Sequence, residues 1–183
     1  MSSRSKDTKK NSSDIKAGSP EGKRSSLRLE HGTQYLCQAR LDVAGQPGIL
    51  QVLQGVPHLH LRVDVAIEPL APEKGLYEVR LTLQGQGTIA GPEGQEPQTI
   101  YAASVVYGGL FGVEGSGSEE ARKKLLSQEA PTALFHGARH TLLTLIRDAG
   151  FPVGAPQPID FRTFWDQKKA AVARDQAALQ EGR

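Results

Sequence analysis

The clearest periodicity in the chain runs from His58 to Ile67, where Leu59, Leu61, Val63, Val65 and Ile67 alternate with mostly polar residues. A period of two places those side chains on one face, which predicts a half-buried strand. Tyr77, Val79, Leu81 and Leu83 alternate in the same way with Glu78, Arg80, Thr82 and Gln84, and Gly85 and Gly87 then weaken the pattern. The run Thr99 to Val106 is apolar on both faces, as a central or interface strand would be. Gln34 to Val43 supplies a first strand. Short links containing Gly and Pro, among them residues 91–98, join these segments with no helical pattern between them. An antiparallel meander of four strands is expected rather than βαβ units.

The period then lengthens. Ser118 is placed to cap a short helix whose first turn carries Glu119 and Glu120, which suit the positive end of the helix dipole. A longer helix is expected from near Pro131, with Leu134, Phe135, Ala138, Leu142, Leu145, Ile146 and Ala149 forming its apolar stripe and Gly150 ending it. After the link FPVGAPQP, a last helix is expected from about Phe161 to Gln180, polar enough at its end to project or fray. The fold class is therefore α+β: a four-stranded antiparallel sheet followed by a short helix, a long helix and a C-terminal helix.

Composition changes this picture mainly at the N-terminus. Residues 1–26 hold seven Lys/Arg against three Asp/Glu and, after Met1, a single aliphatic residue larger than alanine, Ile15. Such a segment buries too little to offset the entropy of ordering, so a disordered basic arm is expected there. The whole chain has a formal charge of +2, so the remainder stands at −2. A folded part of that balance gives no reason to expect a specific nucleic-acid partner, although the arm alone leaves an anionic surface open as an alternative. The sole cysteine, Cys37, excludes an intramolecular disulfide and any CxxC motif. No apolar stretch of secretory-signal or membrane-spanning length occurs, so a cytoplasmic location without membrane insertion is expected.

Candidate catalytic and metal-binding groups do not assemble into a motif. His136 and His140 lie one helical turn apart, and His58 and His60 share a strand face, but neither pair has an evident third ligand, and no Glu follows His136 as in zinc-protease helices. Gly112 to Gly117 precedes a helix but lacks the Lys-Ser/Thr ending of a phosphate loop, and Glu119 and Glu120 would repel an anion. Cys37 is expected as a small buried hydrophobe, and Asp160 as an N-cap. No enzyme activity, catalytic residue, metal or cofactor is expected.

The stretch from Tyr77 to Trp165 resembles the SecB family of protein-export chaperones. The features come in the family's order: YEVRLTL, a β-run ending in Gly108-Gly109-Leu110-Phe111, then Ala133-Leu134-Phe135-His136-Gly137-Ala138-Arg139, then Asp148-Ala149-Gly150-Phe151-Pro152 followed by Pro158-Ile159-Asp160-Phe161. The resemblance implies a homotetramer built as a dimer of dimers. It also implies an ATP-independent chaperone that binds unfolded preproteins in apolar grooves, keeps them competent for translocation and delivers them to the SecA motor. On this basis residues 27–170 would form the SecB-like domain and 171–183 a helix end or flexible tail.

Aligned on Gly108-Gly109, the resemblance assigns Tyr101, Ala103, Val105 and Tyr107 to oligomer assembly, with ordinary core packing the equal alternative for Ala103 and Val105, and Tyr101, Tyr107 and Phe111 to client grooves. It places Ala102 and Ser104 at the positions that face SecA. Family members that dock SecA carry acidic residues there, and this chain does not. The alternative is accordingly a SecB-like chaperone dedicated to another client, such as an antitoxin, without SecA docking.

Overall fold

The computed structural model describes residues 27–91, 96–154, 159–165 and 167. The expected arm at 1–26 and tail at 171–183 lie outside the described residues. Four strands, β1 (Arg28–Val43), β2 (His58–Ala71), β3 (Leu76–Ile89) and β4 (Gln98–Glu114), form one sheet with every neighbouring pair antiparallel. Their order is β1-β4-β3-β2, which corrects the simple meander. Only β2, β3 and β4 follow one another across the sheet, and β1 lies at the far edge beside β4. Residues 44–57 carry the chain from one edge to the other and include a short helix, α1 (Gly48–Val52), that the sequence pattern did not predict. Five residues are too few to display a helical period, and the neighbouring Pro47 and Gly55 read as a link.

Strands β3 and β4 outrun their predicted ends, and glycines that weaken the pattern locally are required there by packing. A Cβ on Gly87 would lie 2.1 Å from the ring of Tyr101, so β3 needs a bare backbone where that ring crosses it. A Cβ on Gly108 would lie 2.9 Å from both Cys37 Sγ and the Tyr35 ring, so β4 continues through Gly108 beneath side chains from edge strand β1. Glycine in a strand commonly marks such a close approach.

One helix, α2 (Glu119–Asp148), replaces the expected short and long helices. Its 30 residues span about 45 Å at 1.5 Å per residue. Ser118 caps it as expected, its Oγ accepting the Ala121 N–H at 3.2 Å. Pro131 lies inside the helix and not at a start. Proline removes one backbone donor and crowds the preceding turn, but Leu126, Ala130, Pro131, Leu134 and Phe135 are all buried, and that packing carries the helix through. Gly150, with φ +89°, ends it, and Phe151 N–H returns to the Ile146 carbonyl at 3.3 Å.

The core lies between α2 and one face of the sheet, and includes Val79, Leu81, Leu83, Val105, Leu134, Ala138, Leu142 and Ile146. The helix packs on β4, β3 and β1 and reaches β2 only at its margin. The apolar stripe of β2, from Leu59 to Ile67, is consequently only half-buried. That uncovered margin is where the site lies.

Candidate functional site

Beyond the margin of α2 is an open groove of about 910 Å³. Ile67 and Pro69 of β2, Pro72, Tyr77 of β3 and Trp165 supply its apolar walls, over the buried Leu126 of α2. Glu119, Glu120, Arg122, Lys123 and Lys124 form a charged rim. Lys123 and Glu119 pair across one helical turn at 2.9 Å, which holds the Glu119 carboxyl below its ordinary range. Apolar walls with a mixed rim suit an extended apolar segment better than a small polar substrate.

The placement of Trp165 follows from Pro131. Proline has no N–H, so the carbonyl four residues back, that of Ser127, loses its helical partner. The Trp165 indole N–H donates to that carbonyl. A chain of edge-to-face rings holds the same wall, with Phe135–Phe161 at 5.8 Å, Phe161–Phe164 at 6.0 Å and Phe164–Trp165 at 5.8 Å. Asp160 caps the helical residues 161–165 as expected, the remainder of the expected helix to Gln180 lying, apart from residue 167, outside the described residues: its Oδ1 accepts the Arg162 N–H and its Oδ2 the Thr163 hydroxyl, which keeps the carboxyl below its usual range.

The opposite face of the sheet is polar and paired within itself. Tyr35 on β1 reaches over Gly108 and donates to Glu78 Oε1 on β3 at 2.6 Å. Arg80 donates from Nε at 3.0 Å and from Nη2 at 2.7 Å to the same carboxylate, and its Nη1 lies 3.7 Å from Glu68 of β2. Glu78 is 7% exposed and its carboxyl is held below the ordinary range by the Arg80 and Tyr35 hydrogen bonds. The Tyr35 phenol is pushed up to about 12, chiefly by the same bond to Glu78. Elsewhere on this face Arg40 pairs with Asp42 at 2.7 Å and Arg28 with Glu30 at 3.4 Å.

Several expected site residues are placed differently. Tyr101 and Phe111 are 2% and 1% exposed beneath α2, so neither lines a surface groove. Tyr101, Ala103 and Val105 are core residues, because their strand face is the one that α2 covers. Tyr107 is half-buried against Gly137 of α2. Ala102 and Ser104 do lie on the outer face, half-buried, opposite Asp42 and Arg40 of β1. Cys37 is exposed on β1 instead of buried, because the register shift between Leu36 and Gln38 takes it out of the alternation. His136 and His140 lie on the exposed side of α2. Among the described residues no three His, Cys, Asp or Glu side chains come together as a metal set, and no helix is long and apolar enough to cross a membrane.

Sequence reasoning missed Trp165, Leu126, Ile67 and Pro69 as groove residues. Pro131 four residues after Ser127, with an indole donor further along the chain, was the one signal present, and spacing alone does not join them.

The family model described as preprotein translocase subunit SecB matches residues 22–172. The chain belongs to the SecB family. A protein-export protein SecB of Granulibacter bethesdensis is 34% identical over 138 residues, covering 75% of this chain and 80% of that one. The SecB of Alkalilimnicola ehrlichii is 29% identical over 160 residues, covering 87% and 80%. Among solved structures, the SecB-like chaperone Rv1957 of Mycobacterium tuberculosis, in complex with a ChAD peptide from the HigA1 antitoxin, superposes with a TM-score of 0.56 at 16% identity, covering 72% of this chain and 91% of that one. That likeness agrees with the fold. SecB proteins are protein-export chaperones.

Proposed function

We propose that the protein is an ATP-independent chaperone that holds unfolded preproteins in the groove beside Trp165, keeps them translocation-competent and passes them to SecA. The groove carries this reading. An extended segment can lay alternate side chains on Ile67, Tyr77 and Trp165 beside edge strand β2. Native proteins have such segments buried, so binding selects the non-native state and opposes folding by mass action without ATP. The functional unit in this reading is a cytoplasmic homotetramer, a dimer of dimers, with residues 27–170 as its chaperone domain. Assembly would cover the free edge of β1, where Leu36 is 48% exposed, and several grooves on one particle would add weak contacts along a single client.

The test is light scattering coupled to size exclusion, with the chain alone, then with an unfolded polypeptide, then with the same polypeptide folded. The expected result is a tetramer that retains only the unfolded form, weakened by Trp165→Ala. A monomer indifferent to both forms would overturn the reading.

One observation favours a second reading, a SecB-like chaperone serving another client such as an antitoxin. The outer sheet face carries the neutral Ala102 and Ser104 among paired charges, and it offers little to a basic docking segment. Client binding retained without SecA binding would select this second reading, and tight SecA binding would remove it.

A further inference from the structure

His58 and His60 belong neither to the groove nor to the paired charges. Both are exposed at the start of edge strand β2, on the sheet face away from α2. Their backbones are held in register, His58 opposite Thr88 and His60 opposite Gln86 on β3, and the Thr88 hydroxyl donates to the His58 carbonyl at 3.5 Å. Residues two apart on a strand have Cα atoms about 6.6 Å apart, yet the two ring centres are only 4.4 Å apart. The imidazoles therefore lean together instead of standing parallel off the strand.

That spacing has a chemical meaning. Two imidazoles bound through nitrogen at about 2.0 Å to adjacent, right-angled positions of one ion stand about 4.5 Å apart between ring centres, whereas a tetrahedral ion spreads them to about 5.2 Å. We propose that His58 and His60 form a two-imidazole chelate for a divalent cation of tetragonal preference, Cu²⁺ or Ni²⁺. Among the described residues no third protein ligand joins them, so water fills the other positions. Arg62 and Asp64 come next on the same strand face and set the charge beside the site. In preference the site follows the divalent series, Cu²⁺ above Ni²⁺.

The experiment is titration of the full, untagged, chelator-treated chain with Cu²⁺ and separately with Ni²⁺, followed by calorimetry and, for Cu²⁺, by electron paramagnetic resonance. The expected result is one ion per chain with two nitrogen ligands, weakened at least tenfold by His58→Gln or His60→Gln alone and unchanged in the double variant His136→Gln/His140→Gln. Circular dichroism of the variants confirms that they remain folded. Affinity unmoved by His58→Gln, binding lost only in the α2 double variant, or one ion shared by two chains would each overturn the chelate.

Discussion

Glu78 is a carboxylate almost closed off on the polar face of a sheet, and its surroundings explain why it is tolerated. Two Arg80 donors and the Tyr35 phenol satisfy it, and Gly108 leaves the space over which Tyr35 reaches. Charge-assisted bonds of this kind are among the stronger ones, and leaving such a carboxylate short of a donor is costly. Tyr35→Phe should therefore lower stability by about 1–2 kcal/mol at neutral pH, read from denaturant unfolding. The pH dependence separates the partners. Glu78 titrates below its ordinary value, so its contribution is complete above the unfolded-chain value of about 4.3 and is lost as pH falls through the lower folded value. Tyr35 titrates above its ordinary value, so its contribution is present below about pH 10 and is lost as pH rises towards about 12. The phenylalanine variant should lose that alkaline limb while keeping the acid limb through Arg80. An alkaline limb unchanged by the substitution would mean that another group supplies it. Gly87 gives a second residue-scale test. A methyl there would overlap the buried Tyr101 ring, so Gly87→Ala should destabilise by about 1–3 kcal/mol, read from thermal unfolding. The Gly87→Ala/Tyr101→Leu pair should recover part of that loss, because the smaller side chain vacates the overlap.

At the scale of elements, α2 depends on an apparent defect. Pro131 withholds the donor that would occupy the Ser127 carbonyl, and Trp165 takes that acceptor. In Pro131→Ala the backbone N–H of residue 131 competes for the same carbonyl, so the helix gains while the groove wall loosens. Thermal stability should rise or hold, indole fluorescence should shift towards that of exposed tryptophan, and client affinity should fall severalfold. A variant with unaltered fluorescence would show that the ring contacts alone seat Trp165. This coupling also shows where sequence reading stops. The alternation in β2 and β3, the Ser118 cap, the helical stripe and the Gly150 stop were legible because each rests on neighbours within one turn or one strand. The strand order was not, because the pairing of β1 with β4 depends on a 14-residue excursion whose direction leaves no mark on periodicity. Tyr101, Ala103 and Val105 were legible as one strand face, with core packing an open alternative for Ala103 and Val105 that the structure takes up, but the burial of Tyr101 was not legible, since which face α2 would cover is a tertiary decision. Trp165 was invisible as a groove residue because its acceptor lies 38 residues away in sequence.

For the molecule as a whole, the distribution of charge separates holding a client from handing it on. In the proposed reading the groove recognises apolar surface, so client binding should change little with salt. Docking of a basic partner segment on the outer sheet face would instead rest on charge, and the Arg40–Asp42 and Arg80–Glu78 pairs already satisfy much of the charge there. Ala102 and Ser104 occupy the centre of that face on β4, between Gln86 and Gln84 on one side and Asp42 and Arg40 on the other. Ala102→Glu/Ser104→Glu adds two carboxylates, and only one cation, Arg40, is directly opposite to neutralise them. Each exposed charge pair formed with a partner contributes about 0.2–1 kcal/mol, so the double variant should raise SecA affinity severalfold at low ionic strength, and the gain should fade as salt approaches molar concentration. Affinity for an unfolded client should not move, since the groove lies on the other side of the sheet. An equal gain at all salt concentrations would show contact through packing and not charge. No gain, with client binding intact, would mean that this face is not where SecA meets the chain, and would leave the dedicated-client reading as the stronger account of a SecB protein with neutral Ala102 and Ser104 at the centre of that face.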